Sequence, residues 1–136
     1  MQLNPYLFFR GDCEAAFRFY ERCLGGKIVA THTYEGTPGS EHLPPDWQKK
    51  VMHMALQVGQ YTLMGSDCPP DRFQTPQGFS VSLSLKDTAA GERIFNALSE
   101  KAKVEMPLQE TFWAARFGML VDQFGISWMI NCERPA

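Results

Sequence analysis

The chain of 136 residues contains two similar halves, and this internal repeat limits its possible folds more than any other feature. Positions in the first half recur 75 residues later as the following pairs: Asp12 and Asp87, Ala15 and Ala90, Phe19 and Ile94, Tyr20 and Phe95, Cys23 and Leu98, Val29 and Val104. Later strands match at a smaller offset, as with Met64 and Met129, because residues 35–50 lengthen only the first half. One supersecondary unit used twice explains this pattern. The alternative is chance similarity between two ordinary α+β segments.

Each half predicts the order strand, helix and three strands, from its hydrophobic periodicity. The predicted elements are strands at 2–9, 27–34, 51–58 and 61–66 with a helix at 13–24, then strands at 79–85, 103–108, 112–121 and 127–132 with a helix after position 87. Asp12 and Asp87 precede the helices, where a side-chain oxygen can accept hydrogen bonds from free backbone N–H groups. We therefore predict an α+β fold of two βαβββ modules, 1–67 and 79–136, joined by a Pro-containing linker at 68–78.

Composition and charge exclude several classes of protein. The formal net charge of −2 argues against a protein that binds a nucleic-acid backbone, because phosphates require a clustered cationic face. No apolar run approaches the roughly 18 residues that would indicate a membrane-spanning helix. The N-terminus resembles no secretion signal, and the four cysteines form no C-x-x-C pair. We expect a cytoplasmic protein with reduced thiols.

Four stretches of the sequence are distinctive: Phe19-Tyr20 before Leu24-Gly25, Trp113 followed by DQFG at 122–125, the opening NPYLFFRGDCEAAFRFYERCLGGK, and VEMPLQETFWAARFGMLVDQFGISWMIN at 104–131. In these stretches the chain resembles the vicinal-oxygen-chelate superfamily of glyoxalases, bleomycin-resistance proteins and dioxygenases. The last two resemble the PhnB-like subfamily, often labelled 3-demethylubiquinone-9 3-methyltransferase-like. We do not expect methyl transfer, because no glycine-rich G-x-G turn follows a strand. The resemblance implies a cupped mixed sheet in one domain and a homodimer that completes the cup.

The resemblance also implies four positions for a divalent metal, two in each half. They lie seven residues before each capping Asp and on the last strand of each half, and correspond here to Pro5, Met64, Ser80 and Met129. None offers the imidazole, carboxylate or thiolate that zinc prefers. We therefore expect no metal at the usual site and no cofactor. As the alternative, His53 is the histidine best placed to enter the cup and recruit a divalent metal.

Strand parity predicts which side chains enter the cup. If the positions seven before Asp point inward, then Ser80, Ser82 and Ser84 form a hydroxyl row, and their apolar neighbours face the second helix. The same parity sends inward Pro5, Leu7 and Phe9 from the first strand and Thr62, Met64 and Ser66 from the fourth. With Met129, these residues would line an adaptable ligand cavity. The alternative places the serines on a solvent-facing surface.

The segment QETFW at 109–113 is the most distinctive in the chain. In a functional interpretation, Glu110 is an acid/base or hydrogen-bonding group, Trp113 floors the mouth of the cavity, and Arg116 attracts an anionic ligand. In a structural interpretation, Glu110 turns the chain and Trp113 packs in the core. Strand alternation puts Trp113 and Arg116 on opposite faces unless a bulge intervenes. Asp122 is predicted to be a turn residue.

These features lead to three functional hypotheses. The first is a PhnB-like protein that binds an anionic or aromatic small molecule without the usual metal. The second is a lyase, isomerase or transferase that recruits a divalent metal through His53 and Glu110. The third is a dimeric scaffold with no pocket chemistry. Sequence alone does not decide whether the chain is an enzyme. The long loop at 35–50 is predicted to be mobile without ligand.

Overall fold

The computed structural model describes residues 1–135, and the chain divides into two compact units. The first unit spans Met1–Gln74 and the second begins at Thr75, so the boundary falls inside the predicted linker. Within the described residues, no helix has the length and apolar character needed to cross a membrane.

The first unit contains a four-stranded mixed sheet and one helix. Its elements are β1 (Tyr6–Phe9), α1 (Cys13–Leu24), β2 (Lys27–Thr33), β3 (Val51–Val58) and β4 (Tyr61–Asp67). The strand order is β1-β4-β3-β2, with β1 parallel to β4 and the other pairs antiparallel.

The second unit repeats this arrangement. Its elements are β5 (Val81–Leu85), α2 (Thr88–Leu98), β6 (Lys103–Gln109), β7 (Ala114–Val121) and β8 (Ser127–Glu133). The strand order is β5-β8-β7-β6, again with the first strand of the unit parallel to the last. The prediction of an α+β protein made from two βαβββ modules is therefore confirmed.

Each helix covers one face of its own sheet, because its apolar residues recur on one side. In the first unit, Phe17 of α1 is fully buried against Phe9 of β1, with the ring centroids 6.1 Å apart. In the second unit, Gly91 brings α2 so close to β8 that a Cβ there would lie 2.2 Å from Sγ of Cys132. We call the opposite side of each sheet the helix-free face of that unit.

The N-terminus of α1 is held by a residue that the sequence did not indicate. Asp12 was expected to cap this helix, but its side chain makes no capping hydrogen bond. Instead, Oδ1 of buried Asp67 accepts from the backbone N–H groups of Gly11 and Cys13, at 2.9 Å each. Oδ2 of Asp67 accepts from the N–H of Val51, also at 2.9 Å. The prediction for Asp12 is wrong because a strand residue distant in sequence supplies the acceptor.

The second helix begins as predicted. Asp87 accepts from the N–H groups of Ala89 and Ala90 through Oδ1. Asp122 is confirmed as a turn residue: Oδ1 accepts from the N–H groups of Phe124 and Ile126. Oδ2 of Asp122 accepts from Nε1 of Trp128 at 2.8 Å, so this buried carboxylate also fixes a core side chain.

The predicted orientation of the side chains of β1 is reversed, because the strand is displaced by one residue. Leu7 and Phe9 are buried on the side of α1, whereas Tyr6 and Phe8 occupy the helix-free face. Three residues separate β1 from α1, but only two separate β5 from α2. The extra residue lies in the Arg10–Asp12 connection, where Gly11 adopts φ +119°. The position seven residues before Asp12 therefore points to the wrong face of the sheet, whereas the position seven residues before Asp87 points to the predicted face.

The segment between β2 and β3 is folded onto the first unit. Its ends are joined by backbone hydrogen bonds from Tyr34 to Lys50 and from Glu35 to Gln48. Trp47 is buried, and its ring meets the ring of Tyr34 edge-on at 6.4 Å. The mobility of residues 35–50 in the free protein stays a prediction.

Candidate functional site

The helix-free face of the second unit carries a row of hydroxyl groups, and Ser82 and Ser84 are exposed there. The parity of β5 is as predicted, whereas the lining of a ligand cavity by these serines stays a prediction. Ser82 pairs with Met129 and Ser84 with Asn131 across the parallel β5–β8 ladder. Paired residues project to the same side of a sheet. Oγ of Ser80 lies 2.6 Å from Oγ of Ser127, so the row begins with a hydroxyl pair.

Asn131 is the polar centre of this face. Its Oδ1 is buried from solvent and has no hydrogen-bond partner among residues 1–135. Asn131 stands between Ser84 on β5 and Phe117 on β7, its register partners on either side. A buried acceptor without a donor costs about 1–3 kcal/mol, so such groups are uncommon in native proteins.

An aromatic cluster adjoins Asn131. The ring of Trp113 meets the buried ring of Phe117 at 5.3 Å and the exposed ring of Phe112 at 4.7 Å, both edge-on. Trp113 keeps 48 % of its surface exposed, which contradicts its placement in the core. Because β7 begins at Ala114 rather than at the predicted Phe112, both exposed rings lie in the approach to the strand.

Arg116 and Glu110 are placed apart from this cluster. Arg116 shares the helix side of β7 with Gly118, and its Nε lies 3.7 Å from a carboxylate oxygen of Glu92 on α2. Trp113 and Arg116 therefore occupy opposite faces, as strand alternation predicted. Glu110 is exposed, with its carboxylate 3.9 Å from Arg134, which also donates to the carbonyl of Thr111.

The helix-free face of the first unit carries a second group of polar side chains. The hydroxyl of Tyr6 lies 3.1 Å from Nδ1 of His53, and their rings stack at 5.7 Å. His32 faces His53 across the β2–β3 ladder, with ring centroids 6.4 Å apart. Met64 is the register partner of Tyr6.

The positions implied for a divalent metal do not fit one in this chain. On the two parallel ladders Met64 pairs with Tyr6 rather than with Pro5, and Met129 pairs with Ser82 rather than with Ser80. Phenol, hydroxyl and thioether are poor ligands for zinc, iron or manganese. Within residues 1–135, no group of three His, Cys, Asp or Glu side chains could hold a metal ion.

Cys13 and Cys132 do not supply a nucleophile to either helix-free face. Cys13 and Cys132 are buried on the helix side, and burial raises the pKa of both thiols above the usual value. Neighbouring Asp67 adds to the rise in the pKa of Cys13. A thiolate is the nucleophilic form, so burial lowers the reactivity of both thiols.

Sequence reasoning missed three residues of these faces: Tyr6, Phe117 and Asn131. Asn131 shares parity with Met129, so the pattern placed it on the correct face, but no pattern shows that its oxygen lacks a partner. Phe117 could have been found from alternation along the predicted strand at 112–121, where it shares parity with Trp113. Tyr6 was hidden by the extra residue before α1.

Comparison with known proteins agrees with this geometry. The model of the Glyoxalase/Bleomycin resistance protein/Dioxygenase superfamily matches residues 2–130. Protein YjdN of Escherichia coli is 34% identical, over 96% of this chain and 95% of its own length. The crystal structure of protein PA1353 from Pseudomonas aeruginosa superposes with a TM-score of 0.89 at 45% identity, over 99% of both chains. The PhnB protein of Bacillus cereus shares the fold, with a TM-score of 0.80 at 23% identity over 97% of this chain and 99% of that one.

Proposed function

The chain belongs to the Glyoxalase/Bleomycin resistance protein/Dioxygenase superfamily, with a PhnB-like fold, and from this we propose that it is a small-molecule-binding protein. The ligand, anionic or aromatic, is bound by the helix-free face of the second unit. That face offers Ser80, Ser82 and Met129 beside half-exposed Trp113. Hydroxyls, soft thioethers and an accessible aromatic ring are typical of a ligand-binding surface.

Binding is proposed to need no metal. The observation that supports this is the donor set: neither Tyr6 with Met64 nor Ser82 with Met129 offers an imidazole or a carboxylate. The second candidate is a metal-recruiting lyase, isomerase or transferase, favoured by His53, whose Nδ1 is engaged by Tyr6 so that the ring is held in place. In that candidate Glu110 would act as the acid or base.

A thermal-shift screen separates the two candidates. Small aromatic and anionic metabolites are tested on the full chain, with EDTA and with added zinc, nickel or manganese. A ligand at about 100 times its Kd stabilises the folded state by about 2.7 kcal/mol, so binding raises Tm. We expect Tm to rise in EDTA, and the rise to be lost in Trp113→Ala but kept in Tyr61→Ala, an exposed aromatic of the first unit. Stoichiometric metal lost in His53→Ala would contradict the proposal.

We further propose a cytoplasmic homodimer, supported by the resemblance to superfamily members that pair modules across subunits. Sedimentation equilibrium at micromolar concentration tests it. A single species at twice the mass of 15.4 kDa is expected, and a monomer would contradict it.

A further inference from the structure

We infer that the ligand is an aromatic molecule that carries an N–H donor and no negative charge. This inference rests on the proposed function and narrows it from two ligand classes to one. It depends on three features of the second unit: an acceptor without a donor, an adjoining aromatic surface, and the charges along β8.

The acceptor is Oδ1 of Asn131. It is buried and has no hydrogen-bond partner. A donor from a ligand would recover the free energy that burial of this oxygen costs. A carboxylate cannot do so, because its lone pairs would face the lone pairs of Oδ1.

The aromatic surface lies beside that acceptor. Phe117 pairs with Asn131 across the β7–β8 ladder, and directly opposite residues have Cβ atoms about 4.5–5.5 Å apart. The ring of Trp113 meets Phe117 at 5.3 Å and remains half exposed. A flat ring that packs on Trp113 would therefore lie next to Phe117 and, once the groups that cover Oδ1 of Asn131 move aside, would bring an edge N–H to this oxygen.

The charges along the strand disfavour an anion. Glu133 is the next residue of β8 on the side of Asn131, and it is exposed. Arg116 is on the helix side and pairs with Glu92, and Arg134, which donates to the carbonyl of Thr111, pairs with Glu110. Lys103 lies on β6, two strands away from β8. Through Val121 it is level with Ser127, four residues before Asn131.

Three ligands of nearly equal shape test the inference on the full chain. Indole has a ring and an N–H, benzofuran has an oxygen in place of the N–H, and indole-3-acetate adds a carboxylate. Their Kd values are measured by ligand-observed NMR in EDTA. An unpaired buried acceptor predicts that benzofuran binds about 5–100-fold more weakly than indole. Indole-3-acetate is also expected to bind more weakly than indole.

Two variants locate the effect. Asn131→Leu should bring the Kd ratio of benzofuran to indole to within about 2-fold. Asn96→Leu, a matched change at an exposed position of α2, should leave the ratio as in the unsubstituted protein. Should Asn131→Leu fail to fold, the ligand comparison on the unsubstituted protein still decides.

Failure of this inference can be distinguished from failure of the proposed function. Equal Kd values for indole and benzofuran, or tighter binding of indole-3-acetate, would overturn this inference and leave the proposed function standing. If none of the three ligands binds and the thermal-shift screen also finds no ligand in EDTA, both fail.

Discussion

The packing of α2 on β8 at Gly91 gives a prediction with a calculable magnitude. A Cβ at Gly91 would lie 2.2 Å from Sγ of Cys132, while its next neighbours, Ile130 and Leu85, would be at 3.8 and 3.9 Å. Carbon atoms in contact are about 3.5–4.0 Å apart, so only the sulfur is too close, by about 1.5 Å. We predict that Gly91→Ala destabilises the protein by about 2–3 kcal/mol, the upper range for overpacking, despite the better helix propensity of alanine.

Relief by a second substitution identifies the cause. Removing the sulfur in Gly91→Ala/Cys132→Ala leaves only ordinary contacts, so the double variant should be at least 2 kcal/mol more stable than the sum of the two single changes predicts. Equilibrium unfolding in urea gives the free energies of all four proteins. Additive effects within about 0.5 kcal/mol, or a stable Gly91→Ala variant, would refute the packing of α2 on β8 described above.

Three further predictions concern a carboxylate and two thiols of the first unit. Asp67→Asn should lower the free energy of unfolding in urea by about 2 kcal/mol, because its amide would turn a donor toward the N–H of Val51. The control Asp71→Asn, at an exposed position, should change the free energy by less than about 0.5 kcal/mol. Equal effects of the two changes would contradict the role of Asp67. Burial raises the pKa of Cys13 above its ordinary 9.0, so the folded state holds this proton more tightly than the unfolded state. This contribution to stability is full below pH 9 and is lost as pH rises above it. The fall in Tm above pH 9 should therefore be shallower in Cys13→Ala. A thiol reagent should label partly exposed Cys68 in the native protein before any other cysteine, and rapid labelling of Cys13 would contradict its burial.

The fold was predictable because the repeat combines two local signals. Strand alternation in 79–85 and helical spacing in 13–24 each agree with the burial that they acquire. Parity for β5 was correct, since Asp87 caps α2 directly. Parity for β1 failed because one residue, in a connection with Gly11 at positive φ, shifts the strand against the helix. Insertions of this kind leave the hydrophobic pattern of each element intact, so the pattern does not reveal them.

The candidate site was predictable in part for a different reason. Periodicity places Ser82 and Met129 on one face, but the unpaired state of Oδ1 of Asn131 and the pairing of Arg116 with Glu92 depend on contacts between elements. Asp67 illustrates the same limit, since its three donors come from two segments distant in sequence. Such satisfied or unsatisfied polar groups are properties of the tertiary structure.

The most direct test of metal-free binding at this face is an indole titration of ¹⁵N-labelled protein in EDTA, followed by two-dimensional NMR. Saturable shifts of the Asn131 side-chain amide and the Trp113 indole N–H are predicted, with the His53 ring unaffected. Shifts that require added zinc, nickel or manganese, or that centre on His53, would contradict the account.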